Sequence, residues 1–321
     1  MSRPVFESVF ADEINQYLDS RTAAGFKEKS FMTHLRCFDS FCCERDLTQA
    51  VFTAADTEEW SRARPHEGTT SHYSRINGSK QFLTYLFLKG YDVHVPRDIT
   101  FVPTDFQPHI YSDDEIERYF REVDAYFSIR NRKDAVQYPV LFRLLYCCGT
   151  RINETIGIRK QDVDLEDGII KLFETKNNVE RLLVLGHDLT MLMRSFAGKC
   201  FYLLCDGDYI FSNSKGGRLS GKLLYERHRE FLRKAGIPFT GDGEGPRIHD
   251  WRHTMAVRSF KLMADAGLDM YVALPVLSAY LGHKTIYATE RYVRLTMQLF
   301  PCIEEKFREK TDLVFGKAEI L

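Results

Sequence analysis

Six side chains between positions 151 and 292 of the 321-residue chain are of types that do chemistry on an anion. They are Arg151 in CGTRINETIGIRKQDVDL, Lys176, His249 and Arg252 in IHDWRHTMA, and His283 and Tyr292 in LGHKTIYATERY. A planar guanidinium grips two oxygens of a phosphate or carboxylate at once, and an imidazole moves protons near neutrality. A phenol attacks an electrophile once its proton, with a pKa of about 10, has been removed. Taken singly, each has a commoner structural explanation: an Arg after Gly-Thr usually caps a helix, and H-x-x-R often arises by chance.

Three other patterns fall short of a site. Residues 216–222 read GGRLSGK, a phosphate loop up to its Lys, but Leu223 stands where a Ser or Thr would hold magnesium. His249 and His253 have the spacing of a zinc-protease helix, yet Asp250 replaces the expected Glu and no third ligand is evident. The acidic, glycine-rich stretch 241–245 lacks the spacing of a calcium loop.

These residues need elements to position them. At about 150 residues per domain, the length predicts two domains. The first hundred residues read as helices with breaks at Ala24-Gly25 and Gly90 and no strand pattern. Over residues 29–42, Phe31, Leu35, Phe38 and Cys42 share an apolar face, with Lys29, Thr33 and Arg36 on another. Over residues 70–88, His72, Arg75 and Ser79 lie away from Ile76, Leu83 and Leu86. Either polar face, taken alone, suits simple solvation or phosphate contact. Pro96, Pro103 and Pro108 interrupt residues 93–109, which predicts a domain at 1–98, a linker at 99–110 and a second domain at 111–321.

In the second domain, Ser112 before three acidic residues reads as a helix N-cap, and the apolar helix 136–148 ends at Gly149. A helix beginning around residues 150–153 would put Arg151 at its N-terminus. Residues 168–176 and 179–186 alternate around Asn177-Asn178, a hairpin turn pair that puts Lys176 beside the tip. Helical signals return from Asp188. The expected architecture is an all-α first domain and a mainly helical α+β second domain with a small β-hairpin.

Composition narrows the classes. Lys plus Arg is 44 against 45 Asp plus Glu, and residues 1–98 carry 12 basic and 14 acidic residues, so a DNA partner would have to be met by local arrangement, not by a basic tail. Eight cysteines without a C-x-x-C predict neither a disulfide framework nor a zinc ribbon, which suits a reducing cytoplasm. Acidic residues come too early for a secretory signal, and the uncharged run 270–283 is short and contains Pro275, so no membrane role is expected.

In their chain order, the six residues resemble the tyrosine recombinase, or phage integrase, family. Its catalytic domain carries Arg, Lys, His-x-x-Arg, a His or Trp, and a nucleophilic Tyr in this succession. The likeness is dense over residues 149–296 and extends loosely to nearly the whole chain through the order helical domain, proline linker, catalytic domain. It implies a tyrosine recombinase fold and a catalytic set of Arg151, Lys176, His249, Arg252, His283 and Tyr292, with Glu154 and His253 in support. The arginines would hold the non-bridging oxygens, helped by the dipole of the helix at Arg151. Tyr292 would form a 3′-phosphotyrosyl link, His249 would move protons, Lys176 would protonate the leaving 5′ oxygen, and the His283 ring would contact the phosphate. Around Lys176 the chain departs from the family, with Thr175, Asn177 and Val179 at the usual Gly and Lys places, while Arg181 is retained. Trp251 stands where Leu is usual, and the stretch 269–281 is longer than in compact members.

The resemblance further implies a site-specific DNA recombinase, an integrase for phage or mobile-element integration or excision, using no cofactor and no metal. Residues 1–98 would be the core-binding domain, closing a clamp on DNA, with Lys29, Thr33, Arg36, His72, Arg75 and Ser79 as contacts. With no arm-site domain before it, the chain resembles the simpler members. Its partners would be a double-stranded DNA core site, a second protomer on that site, a tetramer in the synapse, and accessory DNA-bending proteins. The tail from about 298, with Phe300, Ile303, Phe307, Leu313, Val314 and Phe315, would dock on a neighbouring protomer or on its own domain. Two other readings stand beside this one: a DNA-binding regulator that keeps the fold, and a relaxing topoisomerase.

Overall fold

Two aromatic centres organise the chain, one in each of the compact units Met1–Phe106 and Gln107–Leu321. The computed structural model describes residues 3–26, 28–101, 107–128, 132–173, 180–239, 245–283, 285, 289, 292, 294–296 and 299. The division between the units falls within the segment 99–110 expected as a linker.

The first unit is built from α1 (Ala11–Ala23), α2 (Lys29–Glu44), α3 (Ala54–Ser61) and α4 (Thr69–Leu88). Its core collects aromatic rings from all four helices and the loops between them. Phe38 lies 5.1 Å from Phe52, 5.6 Å from Trp60 and 5.6 Å from Phe82, ring centre to ring centre. Such edge-on and tilted pairs are favourable beyond their area alone. Asp39 ties the entering chain to α2 by accepting the Glu7 and Ser8 N–H groups, and the Thr53–Asp56 capping box starts α3.

On α2 the periodicity reads correctly: Leu35, Phe38 and Cys42 are buried, Phe31 partly so, and Thr33 and Arg36 are exposed. Lys29 opens α2, its side chain outside the described residues. On α4 the apolar face is right, since Ile76, Leu83 and Leu86 are buried. The expectation of an open polar face is not: Arg75 and Ser79 are 4% and 0% exposed. The Ser79 hydroxyl accepts the Trp60 indole N–H at 2.7 Å. The Arg75 guanidinium holds Glu67 at 2.7 Å and also reaches the Trp60 carbonyl. His72 is half-buried, its Nε2 2.8 Å from the Ser61 carbonyl. The polar face of α4 therefore fastens the α3–α4 connection, and Arg75 holds the Glu67 carboxyl down to about 2.

The second unit runs α5 (Asp113–Asp124), α6 (Arg132–Cys147), α7 (Ile152–Thr155), β1 (Val163–Asp164), β2 (Ile169–Leu172), β3 (Arg181–Val184), α8 (His187–Cys200), α9 (Gly221–Lys234), α10 (Asp250–Asp265) and α11 (Met270–Leu281). Ser112 caps α5 through a capping box with Glu115, as its acidic first turn predicts. The three strands form one antiparallel sheet in the order β1-β2-β3, with Leu172 opposite Arg181 where the hairpin arms come together. The turn, with Lys176, Asn177 and Asn178, lies outside the described residues. Helix α6 contacts α5, α8 and α10, and α10 contacts α11.

At the centre, Trp251 of α10 is fully buried. It stacks on Tyr111 at 3.8 Å and 4°, with Tyr119 at 4.7 Å, Phe120 at 5.5 Å and Tyr146 at 5.6 Å. Here Trp251, unusual at its motif position, is the hub of the core. Among the described residues no helix is long and apolar enough to cross a membrane.

Removing the Trp251 ring leaves a cavity among four aromatic neighbours. Trp251→Ala is expected to destabilise the second unit by about 3–5 kcal/mol. Urea unfolding followed by circular dichroism measures this, and a loss under about 1 kcal/mol would contradict a central role for the ring.

Candidate active site

Helix α6 ends at Cys147, and Gly149 adopts φ +57°, where a Cβ would come within 3.2 Å of Leu281 and Met255. That left-handed turn releases the chain into Arg151, the N-cap of α7. Arg151 Nη1 donates to Glu154 Oε1 at 2.6 Å, and its backbone N–H donates to Glu154 Oε2 at 2.9 Å. The expected helix at Arg151 is a single turn of four residues. It therefore has almost no macrodipole, and the dipole assistance expected from the sequence is small.

Glu154 has a side chain only 2% exposed and joins a second guanidinium, Arg181 Nη2 at 2.8 Å. Burial pushes its carboxyl up, but the Arg151 N–H and the charges of Arg181 and Arg151 outweigh this and hold it below the usual range. A carboxylate this buried survives because two cations and an amide satisfy it.

Arg252 sits on the first turn of α10, next to Trp251, and is 1% exposed. Its Nη1 donates to the Gly149 carbonyl at 2.6 Å, and its Nη2 to the Leu281 carbonyl at 2.5 Å. Nη2 also lies 3.0 Å from His283 Nε2, which must accept, leaving Nδ1–H to donate to Thr289 Oγ1 at 2.7 Å. All three acceptors are neutral. Burial, then the nearby Arg151 charge, lowers the Arg252 guanidinium to about 10. Because Arg252 Nη1 holds the carbonyl of Gly149, two residues before Arg151, the start of α10 lies against the start of α7 and the two cations share one neighbourhood.

Helix α11 closes the other side. Gly282 takes φ +65°, its N–H bonds to the Ala279 carbonyl, and the His283 N–H bonds to the Ser278 carbonyl. This is a Schellman ending, in which the glycine supplies the left-handed turn that points Leu281 O and His283 at Arg252.

His249 caps α10 at the exposed rim. Its ring lies 5.1 Å from that of His253, which is buried and in turn 5.4 Å from the Tyr292 ring. Tyr292 is 3% exposed and stacks at 13° on His283 with centres 6.0 Å apart. The protein packed around the rings, then the Arg252 and Arg151 charges, lowers His283 to about 4, and His249 likewise even though one side of it reaches solvent at the rim. The two rings are therefore neutral at pH 7.

Arg151, Glu154, His249, Arg252, His253, His283 and Tyr292 thus converge, while Lys176 and all of the tail from 298 except Leu299 lie outside the described residues. Two participants escaped the sequence analysis as site residues, Arg181 and Thr289. The signal for Arg181 was its place five residues beyond Lys176 on a predicted strand, and nothing marks Thr289.

Comparison with known proteins finds relatives that match most of the chain. The chain is 24% identical over 318 residues to the integrase/recombinase homologue y4rB of Sinorhizobium fredii, covering 95% of this chain and 100% of that one. It is 27% identical over 277 residues to the tyrosine recombinase XerC of Staphylococcus saprophyticus, covering 84% and 86% respectively. Among solved structures, a lambda integrase dimer bound to a COC′ core site shares the fold at TM-score 0.60 and 16% identity, covering 88% of this chain and 94% of that one. XerH bound to difH in a post-cleavage complex does so at TM-score 0.61 and 16% identity, covering 89% and 79%. The model of the phage integrase family matches residues 112–298, more than half of the sequence. The chain belongs to the phage integrase family of DNA breaking and rejoining enzymes.

Proposed function

We propose that this chain is a site-specific recombinase that cuts and rejoins DNA through a 3′-phosphotyrosyl intermediate during integration or excision of a mobile element. The observation that carries the reading is Arg252: a buried cation held by neutral acceptors, coupled to Arg151 and bonded to the imidazole that stacks on Tyr292. A phosphodiester between the two guanidiniums supplies the missing anion, and its oxygens gain charge as the nucleophile arrives. The Tyr292 oxygen bonds to phosphorus as the bond to the 5′ oxygen breaks, and that oxygen takes a proton, for which the reading uses Lys176. His249, neutral at pH 7, has the free lone pair that a general base needs for the phenol proton. Because the phosphotyrosyl link keeps the bond energy, the 5′ hydroxyl can reverse the step without ATP.

In this reading Glu154 orients Arg151, and His253 packs behind Tyr292. The exposed Thr33 and Arg36 of α2 remain phosphate contacts, whereas Arg75 and Ser79 serve the core of the first unit. Double-stranded DNA, a second protomer per site and a four-protomer synapse are the proposed partners; XerH and lambda integrase themselves were solved on DNA, the latter also as a tetramer on a Holliday junction.

Nicked duplexes with randomised cores, from which the short 5′-hydroxyl fragment diffuses away after cleavage, test the mechanism. Wild-type protein is expected to become covalently attached through residue 292, with or without EDTA. Tyr292→Phe should bind without attachment, and Arg252→Ala should slow attachment by about 10²- to 10³-fold. Binding without an adduct by the wild type would favour a regulator, and relaxation of any supercoiled plasmid would favour a topoisomerase.

Protonation gives a second test. With folded values near 4 against about 6.5 unfolded, His249 and His283 bind fewer protons in the folded state, so their stabilising contribution is present above pH 6.5 and is lost as pH falls toward 4. The melting temperature is expected to drop between pH 7 and pH 5, and the two imidazole NMR signals to titrate near 4. Midpoints at 6.5 in DNA-free protein would refute the lowering of both imidazoles by their surroundings.

A further inference from the structure

Arg181 adds a second tie between the Arg151 turn and the end of α11, which Arg252 also bridges through the Gly149 and Leu281 carbonyls. It opens β3, opposite Leu172, and its side chain is only 6% exposed. Nη2 donates to Glu154 Oε2 at 2.8 Å, the carboxylate whose other oxygen takes Arg151 Nη1. Nη1 donates to the carbonyl of Tyr280, the residue before Leu281, whose own carbonyl takes Arg252. The alkyl stem runs against Gly282, where an added Cβ would come 3.3 Å from Arg181 Cδ and the φ of +65° already disfavours any other residue.

We infer that Arg181 is a positioning residue, which locks the Arg151–Glu154 pair to the end of α11 so that the two guanidiniums meet a phosphate as one rigid unit. The inference rests on the recombinase reading above. The geometry explains the choice of arginine. A guanidinium reaches a carboxylate and a carbonyl with separate nitrogens in one plane, whereas a lysine ammonium is a single point that cannot span both. It also explains how strand β3 becomes an input to the site: any shift of the hairpin arm is transmitted to Glu154 and Tyr280 through one buried side chain.

Side chains that hold reacting groups without touching the substrate typically contribute about 10- to 100-fold in activity. Arg181→Lys, which keeps the charge and loses the fork, is expected to slow single-turnover covalent attachment to a trapped duplex by that factor, with DNA affinity and melting temperature close to wild type. Gly282→Ala, which pushes on the Arg181 stem, should reproduce the slowing. If Arg181 acts through Glu154, Glu154→Gln combined with Arg181→Lys should be no slower than the worse single variant.

A wild-type rate for Arg181→Lys, or single effects that simply multiply in the double variant, would overturn the inference. So would loss of affinity in step with rate, which marks a DNA contact or a folding role. Failure of the wild type to attach at all would instead count against the recombinase reading, and the link would then be read from the backbone NMR shifts of residues 280–283 in Arg181→Lys. Shifts unchanged there would overturn it independently of DNA.

Discussion

The structure turns on the burial of one positive charge. Arg252 gives up hydration, which costs several kcal/mol for an ion without close pairing, and recovers it from two main-chain carbonyls and an imidazole nitrogen. Both carbonyls lie at the C-terminal ends of helices, Gly149 just beyond α6 and Leu281 closing α11. There the unpaired carbonyls and the negative end of the helix dipole suit a cation. Two glycines in left-handed geometry make this arrangement possible, since each ends its helix in a turn that a side chain would strain. The cation remains short of negative charge, and this deficit is what a phosphodiester would fill.

Helix α10 accomplishes the rest by separating adjacent residues onto different faces. Successive positions are about 100° apart, so in His249-Asp250-Trp251-Arg252-His253 the indole enters the aromatic core while the guanidinium and imidazoles turn toward the site. The stack of Trp251 on Tyr111 thereby sets the angle of Arg252. Rigid packing behind a polar side chain is a general means of aiming it, because cores resist deformation. The same logic applies to Glu154, a buried acid that arranges two arginines and gains its stability from them.

Much of this was readable from residue order. The caps at Ser112 and Gly149, the hairpin arms, the proline-rich division of the chain and the apolar face of α2 follow from local rules about turns, caps and periodicity. The failures also have physical causes. Periodicity showed that Arg75 and Ser79 share a face, but a solvated polar face and one covered by a neighbouring loop have the same period. Only the position of Trp60 and Glu67 distinguishes them. The helix expected to begin around residues 150–153 does begin there, but it is a single turn, Ile152–Thr155, and the start signal carried no length.

Residue type and short-range spacing determined the caps, strands and helices and marked candidate side chains, which only the family resemblance gathered into one set. Convergence is another matter. Arg252 finds Gly149 at a separation of 103 residues, and Arg181 finds Tyr280 at 99. Contacts at such distances along the chain exist only after α6, α10 and α11 have packed together, since no stretch of neighbouring residues contains both partners. The same packing decided that Arg181 serves the site and that Trp251 is its foundation, for burial and hydrogen-bond partners are properties of the folded arrangement.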